Sequence, residues 1–308
     1  MGKAPKSFLL TIAEKSKKIL ASNWQGYLNT IKADAKGSKQ DVHSSKVKYF
    51  VNRGKPYIWI PEKDLHNVNA IIDERGSLAV TAPFPGQLGN LLMSIKMLPT
   101  RVALMGDIVP LTDKKAALAE NTLREIMLSE CKTVKDLSYS VSAILSSSSL
   151  SYTSRSENLQ ELLDENTKYT VYKFKISSCA YIDSKGASHE VALRDIEESK
   201  TDPLSPFGTS LIDGINRSEI RRRALILFCI THMNENVKDA FLLSVDRKGF
   251  DVLGKVLGAV QSDGSREYQW KEFRITLKEE VSDVQKFCDQ LIEMEEEALK
   301  SVSGFTGL

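Results

Sequence analysis

Residues 44–107 constrain the fold more than any other stretch, because the spacing of their apolar residues changes several times within a short distance. Residues 46–51, KVKYFV, and 56–60, PYIWI, favour extended structure. Asn52-Arg53-Gly54-Lys55 between them supplies turn chemistry, so the two runs read as a hairpin. Asp64 is a good N-cap, and Leu65, Val68, Ile71 and Ile72 fall on one side of a short helix, its expected buried stripe. Arg75-Gly76 stops that helix, and residues 77–81 resume as a strand. After an excursion broken by Pro83, Pro85 and Gly86, residues 100–109 alternate Val102, Leu104 and Ile108 with Arg101, Ala103 and Asp107. Gly106 in this run marks an expected bulge.

Around this segment the chain alternates between helical and extended patterns. A weakly amphipathic helix over 7–21 leads into a strand over 24–31, and a Gly- and Ser-containing loop follows. A short helix is expected over 88–97 and a longer one over 113–129, capped by Asp113. Residues 133–158 are serine-rich and read as a surface loop or insertion. A short helix over 159–164, a half-exposed strand over 169–176 and a hairpin turning at 183–186 come next. Pro203 and Pro206 mark the best boundary, dividing the chain into residues 1–200 and 201–308. The second part reads as a helix over 216–234, strands over 240–245, 250–257 and 268–276, and a last helix over 280–301.

With 308 residues, 42 Lys and Arg against 40 Asp and Glu and a net charge of +2, bulk charge points to neither nucleic acid nor an acidic membrane. No apolar run is long enough for a membrane span. Cys131, Cys179, Cys229 and Cys288 lie too far apart for a zinc motif and are too few for a disulfide scaffold, so buried free thiols are expected. No Ser/His/Asp order, phosphate-binding loop, dinucleotide fingerprint or HExxH spacing occurs. The chain is expected to be cytoplasmic, or already stripped of a targeting segment.

Gly54-x-Pro56, His66-Asn67, Arg75-x-Ser77-Leu78 and Arg101-Val102-x-Leu104-x-Gly106-Asp107 together carry a resemblance. In order and spacing they resemble the FMN-binding split-barrel superfamily, the relatives of pyridoxamine 5'-phosphate oxidase, and more closely its plant and HugZ-type haem-handling branch. The resemblance implies an α+β chain, a six-stranded split β-barrel followed by a smaller αβββα module. It implies a homodimer with FMN or haem at the subunit seam, a chloroplast location and a protein partner in tetrapyrrole metabolism. A non-catalytic or regulatory role is one implied function. An FMN-dependent oxidoreductase is the alternative, and a haem oxygenase is disfavoured.

An FMN phosphate needs converging cations and donors. The implied cofactor-binding residues are Lys46, Lys48, His66, Asn67 and Arg101, with an anion seated at the N-terminus of the short helix. Leu65 and Val68 stand where relatives carry Arg or Lys. Each candidate also has a plainer reading: the lysines as a protected strand face, His66 as a capping or core histidine, Arg101 as a surface residue, and Trp59 as core. For haem, HugZ-type relatives place histidines early in the C-terminal module. The corresponding residues 213–219 retain only Asn216, so no axial histidine is identifiable there. Arg217, Arg221, Arg222 and Arg223 rim that stretch, with a salt-bridged helix face as the plainer reading.

Overall fold

A computed structural model describes residues 9–33, 41–135, 159, 162, 168–260 and 265–305. Most of the serine-rich stretch and of the expected helix over 159–164 lies outside them. Helix α1 (Ile12–Ser22) opens on a capping box: the Glu14 N–H donates to Thr11 Oγ1 at 3.2 Å, and the Thr11 N–H donates to Glu14 Oε2 at 2.9 Å. The following strands are β1 (Gln25–Ile31), β2 (Val42–Asn52), β3 (Lys55–Pro61), β4 (Arg75–Thr81), β5 (Arg101–Pro110) and β6 (Tyr169–Ile182). They pair antiparallel in the order β3-β2-β1-β4-β5-β6, and β3 returns to β6, so six strands close into a barrel. The short β7 (Ser188–Val191) adds to β6 across the 183–186 turn.

Leu28, Tyr49, Ile58, Leu78, Leu104 and Phe174, all without exposed surface, fill the barrel. The β5–β6 register slips between Met105 and Gly106, leaving Ser177 of β6 as the extra residue. Phe174 before the slip and Cys179 after it therefore both point inward. A Cβ on Gly106 would stand 1.9 Å from the Lys175 carbonyl oxygen, so only glycine fits at this expected bulge.

Among the described residues, helices α2 (Leu65–Ile72), α3 (Gly86–Ser94) and α4 (Asp113–Lys135) interrupt the barrel strands. Helix α4 covers the outer side of β2 and β3, burying Phe50 and Trp59 against Leu123 and Met127, which makes Trp59 a core residue. After α5 (Leu193–Glu198), the expected helix over 216–234 is two helices, α6 (Gly208–Arg217) and α7 (Glu219–Met233). Ser218 separates them and caps the second, its Oγ accepting from the Arg221 N–H. Strands β8 (Val237–Asp246), β9 (Gly249–Leu257) and β10 (Tyr268–Thr276) form an antiparallel sheet, and α8 (Val284–Phe305) closes the chain. Phe228, Phe250 and Phe287 centre this second core, which also takes Leu88 and Leu92 from α3. Cys179, Cys229 and Cys288 are buried free thiols, and burial raises their pKa values to about 11, 11 and 12.

Candidate functional site

Helix α2 is turned the opposite way from its sequence pattern. Leu65, Val68, Ile71 and Ile72 are 57%, 54%, 77% and 70% exposed, while His66, Asn69 and Ala70 are buried. The buried polar pair has partners on the strands beneath it. Asn69 Nδ2 donates to Thr30 Oγ1 at 2.9 Å, and that hydroxyl lies 2.8 Å from His66 Nδ1. His66 Nε2 lies 3.0 Å from Ser45 Oγ. Asp64 caps the helix, its Oδ1 accepting from the His66 N–H at 2.9 Å. His43 stands beside the group, its ring centroid 4.5 Å from that of His66 and its Nε2 3.5 Å from Asp64 Oδ1. Burial, with a smaller contribution from His43, lowers the His66 pKa to about 4 against the opposing pull of Asp64, so the ring is neutral at pH 7.

The residues singled out in the sequence divide between the outer face of the barrel, with Lys46, Lys48 and Arg101, and helix α2, with His66 and Asn67. His66 is inside the barrel mouth. Asn67 is held by the protein itself: its Nδ2 donates to the Pro61 and Glu62 carbonyls, and its Oδ1 accepts from the Tyr172 hydroxyl at 2.9 Å. Lys46 is exposed on the outer face of β2, its ammonium 5.6 Å from the centre of the Tyr27 ring. Lys48 is half-buried on the same face, opposite Gln25 and Trp59. Arg101 is exposed at the start of β5, opposite Thr81 and Ile182. Thr30, the partner of His66, pairs with Gly76 and so with Gly106, five residues further along β5, roughly 17 Å from Arg101. Among the described residues, neither Lys46 nor Arg101 has a carboxylate partner.

Beside those two cations the outer wall of the barrel carries a row of small side chains. Tyr27 pairs with Ala79, Ala79 with Ala103 and Ala103 with Ala180, placing three alanines in one outward row across β4, β5 and β6. The neighbouring row is Asn29, Ser77, Met105 and Ser178. Tyr27 and Met105 stand exposed at its border.

A cleft of about 400 Å³ lies between the barrel and the second sheet. Leu10 and Ile19, with Phe84, Met97, Ile212 and Val245, supply its apolar walls. Its polar floor is largely committed: Arg274 holds Asp246 at 2.8 Å and Asp251 at 3.4 Å, and Ser244 donates to Asp251. At the rim, His189 Nε2 meets Asp183 Oδ2 at 3.1 Å. Burial, then the charge of Asp251, raises the Glu272 pKa. Composition gave no sign of this cleft, because its lining comes from segments nearly 270 residues apart.

Residues 213–219 play a structural part in the second module. Asn216 Nδ2 donates to the Leu242 carbonyl at 2.9 Å, and its Oδ1 accepts from the Leu242 N–H at 2.7 Å. The four arginines are engaged in salt bridges, Arg217 with Asp213, Arg221 with Glu295, Arg222 with Asp239 and Arg223 with Glu219.

The closed six-stranded barrel with its appended three-stranded sheet is a split-barrel fold. Among solved structures, the heme binding protein from Mycobacterium smegmatis shares it at 16% identity and a TM-score of 0.55, covering 95% of this chain and 99% of that one. Weaker likenesses include a protein from Agrobacterium tumefaciens str. C58, at 14% identity and a TM-score of 0.39 over 95% of this chain and all of that one. Campylobacter jejuni ChuZ follows at 10% identity and 0.38, over 61% and 63%. No family model and no curated protein matches the sequence.

Proposed function

We propose that this chain is a homodimeric split-barrel protein that holds a flat, anionic cofactor, FMN or a tetrapyrrole, at the seam between two barrels, in a binding or regulatory role rather than a catalytic one. The observation that carries this reading is the outward alanine row Ala79–Ala103–Ala180, with Lys46 beyond Tyr27 at one end and Arg101 on the same strand as Ala103. A planar ring system can approach a wall without side-chain bulk, and the two cations can meet phosphate or carboxylate groups. The exposed apolar side of α2, with Tyr27 and Met105, is the kind of surface a second subunit covers.

The residues present fit FMN better than haem. FMN would supply a redox-active ring when bound, and one of the two cations, Lys46 on β2 or Arg101 on β5, would meet its phosphate. His66 and Asn67 serve the barrel mouth, and the α2 N-terminus is capped by Asp64, so the anion is assigned to the strand cations instead. Residues 213–219 offer no imidazole, so a haem would have no iron ligand from that helix. The fold shared with the Mycobacterium smegmatis heme binding protein supports keeping tetrapyrroles in the reading. A chloroplast location and a protein partner in tetrapyrrole metabolism rest on the motif resemblance, and fractionation and co-purification would check them.

Sedimentation of the purified chain and anaerobic titration with FMN and with haem test the reading. A dimer that binds one of the two, and loses it on Ala103→Glu without loss of the protomer fold, is the expected result. A monomer that binds neither would overturn it, and turnover of the bound flavin with a reductant would overturn its non-catalytic part.

A further inference from the structure

We propose that His43, Asp64 and His66 form a site for one divalent transition-metal ion of the zinc class, at the mouth of the barrel beneath α2. Their ligand atoms, one from each residue, all lie within 4.8 Å of one another. Two imidazoles and one carboxylate select zinc-like ions over magnesium or calcium, which take oxygen donors. The three residues come from two elements that the sequence separates by a turn and a strand. His43 is the second residue of β2, Asp64 is the N-cap of α2, and His66 lies in the first turn of that helix.

Their surroundings suit ligation. His66 is fixed from behind, its Nδ1 bound to a Thr30 hydroxyl that Asn69 also holds. A ligating histidine is commonly oriented in this way, through a hydrogen bond on its other ring nitrogen. Among the described residues its Nε2 meets the Ser45 hydroxyl, which an ion could displace or retain as a further donor. Asp64 uses Oδ1 alone for the helix cap. A tetrahedral zinc with bonds of about 2.0–2.2 Å needs ligand atoms about 3.4 Å apart. Closing to that geometry falls to His43, which lies near the start of its strand and is only partly buried. Three protein ligands leave a position for water or a small anion.

The site faces the inside of the barrel, away from the alanine row, so it stands or falls independently of the cofactor reading. Tag-free full-length chain, stripped with a chelator, is titrated with Zn²⁺ calorimetrically and with Co²⁺ by d–d absorption. One Zn²⁺ per chain and a four-coordinate Co²⁺ spectrum are expected. His43→Ala and Asp64→Asn should each weaken binding by more than about tenfold. Asparagine still caps α2, and His43 is not part of the Thr30–His66–Asn69 network, so the metal-free variants should keep the wild-type circular dichroism and melting temperature. Absence of stoichiometric binding, or binding by either folded variant at wild-type strength, would overturn the proposal.

Discussion

His66 has no exposed surface, yet its ring carries two polar atoms, and both are answered by hydroxyls on neighbouring strands. Such a group ties stability to acidity. Its pKa is about 4 in the folded protein against 6.5 for an ordinary histidine, so below about pH 6.5 the unfolded chain takes up a proton that the native state refuses. Above that pH the group contributes fully. As pH falls towards 4 the contribution is lost at up to about 1.4 kcal/mol per pH unit. Urea denaturation of the wild type and of His66→Gln at pH 7 and at pH 5 checks this: the wild type should lose more stability between the two than the variant does. The sequence marked His66 and its capping neighbour Asp64 but gave no reason to join them to His43. The three converge only once the 52–55 turn and β3 have brought the helix back over β2.

At the scale of elements, the strands were legible because alternation reports directly which side of a sheet faces inward, and the Gly106 bulge was legible because glycine in a strand usually marks a close approach. Helix α2 shows where that reading stops. Leu65, Val68, Ile71 and Ile72 satisfy an amphipathic template, but the template assumes that polar residues seek water. His66 and Asn69 instead find Thr30 and Ser45, partners supplied by distant strands that periodicity does not register. Substitution separates the two orientations. Ile71→Lys should change protomer stability by less than about 0.5 kcal/mol, as at an open surface position, and should weaken dimerisation if the proposed seam includes α2. Ala70→Asp on the buried side should destabilise by more than about 2 kcal/mol. Chemical denaturation together with sedimentation reads both effects.

Across the whole molecule, the N-terminal helix is tied to the second sheet by charge. Arg247, in the turn between β8 and β9, is buried and pairs with Glu14 of α1 and with Glu280 ahead of α8. Its backbone N–H donates to the buried Asp202 at 3.0 Å. Arg247→Met would leave the Glu14 carboxylate with Lys248, 3.7 Å away, as its one cationic partner among the described residues, and should destabilise the fold by about 3 kcal/mol. Calorimetry is expected to show one melting transition for the wild type and a broadened or split one for the variant, as the two cores lose this link. Helix α3 joins them by a different route. It leaves the barrel between β4 and β5 and gives Leu88 and Leu92 to the core around Phe228 and Phe250. No single scission near residue 200 can therefore yield two intact halves. A carboxy-terminal fragment would be born with a greasy socket, and the amino-terminal fragment would carry the plug that belongs in it.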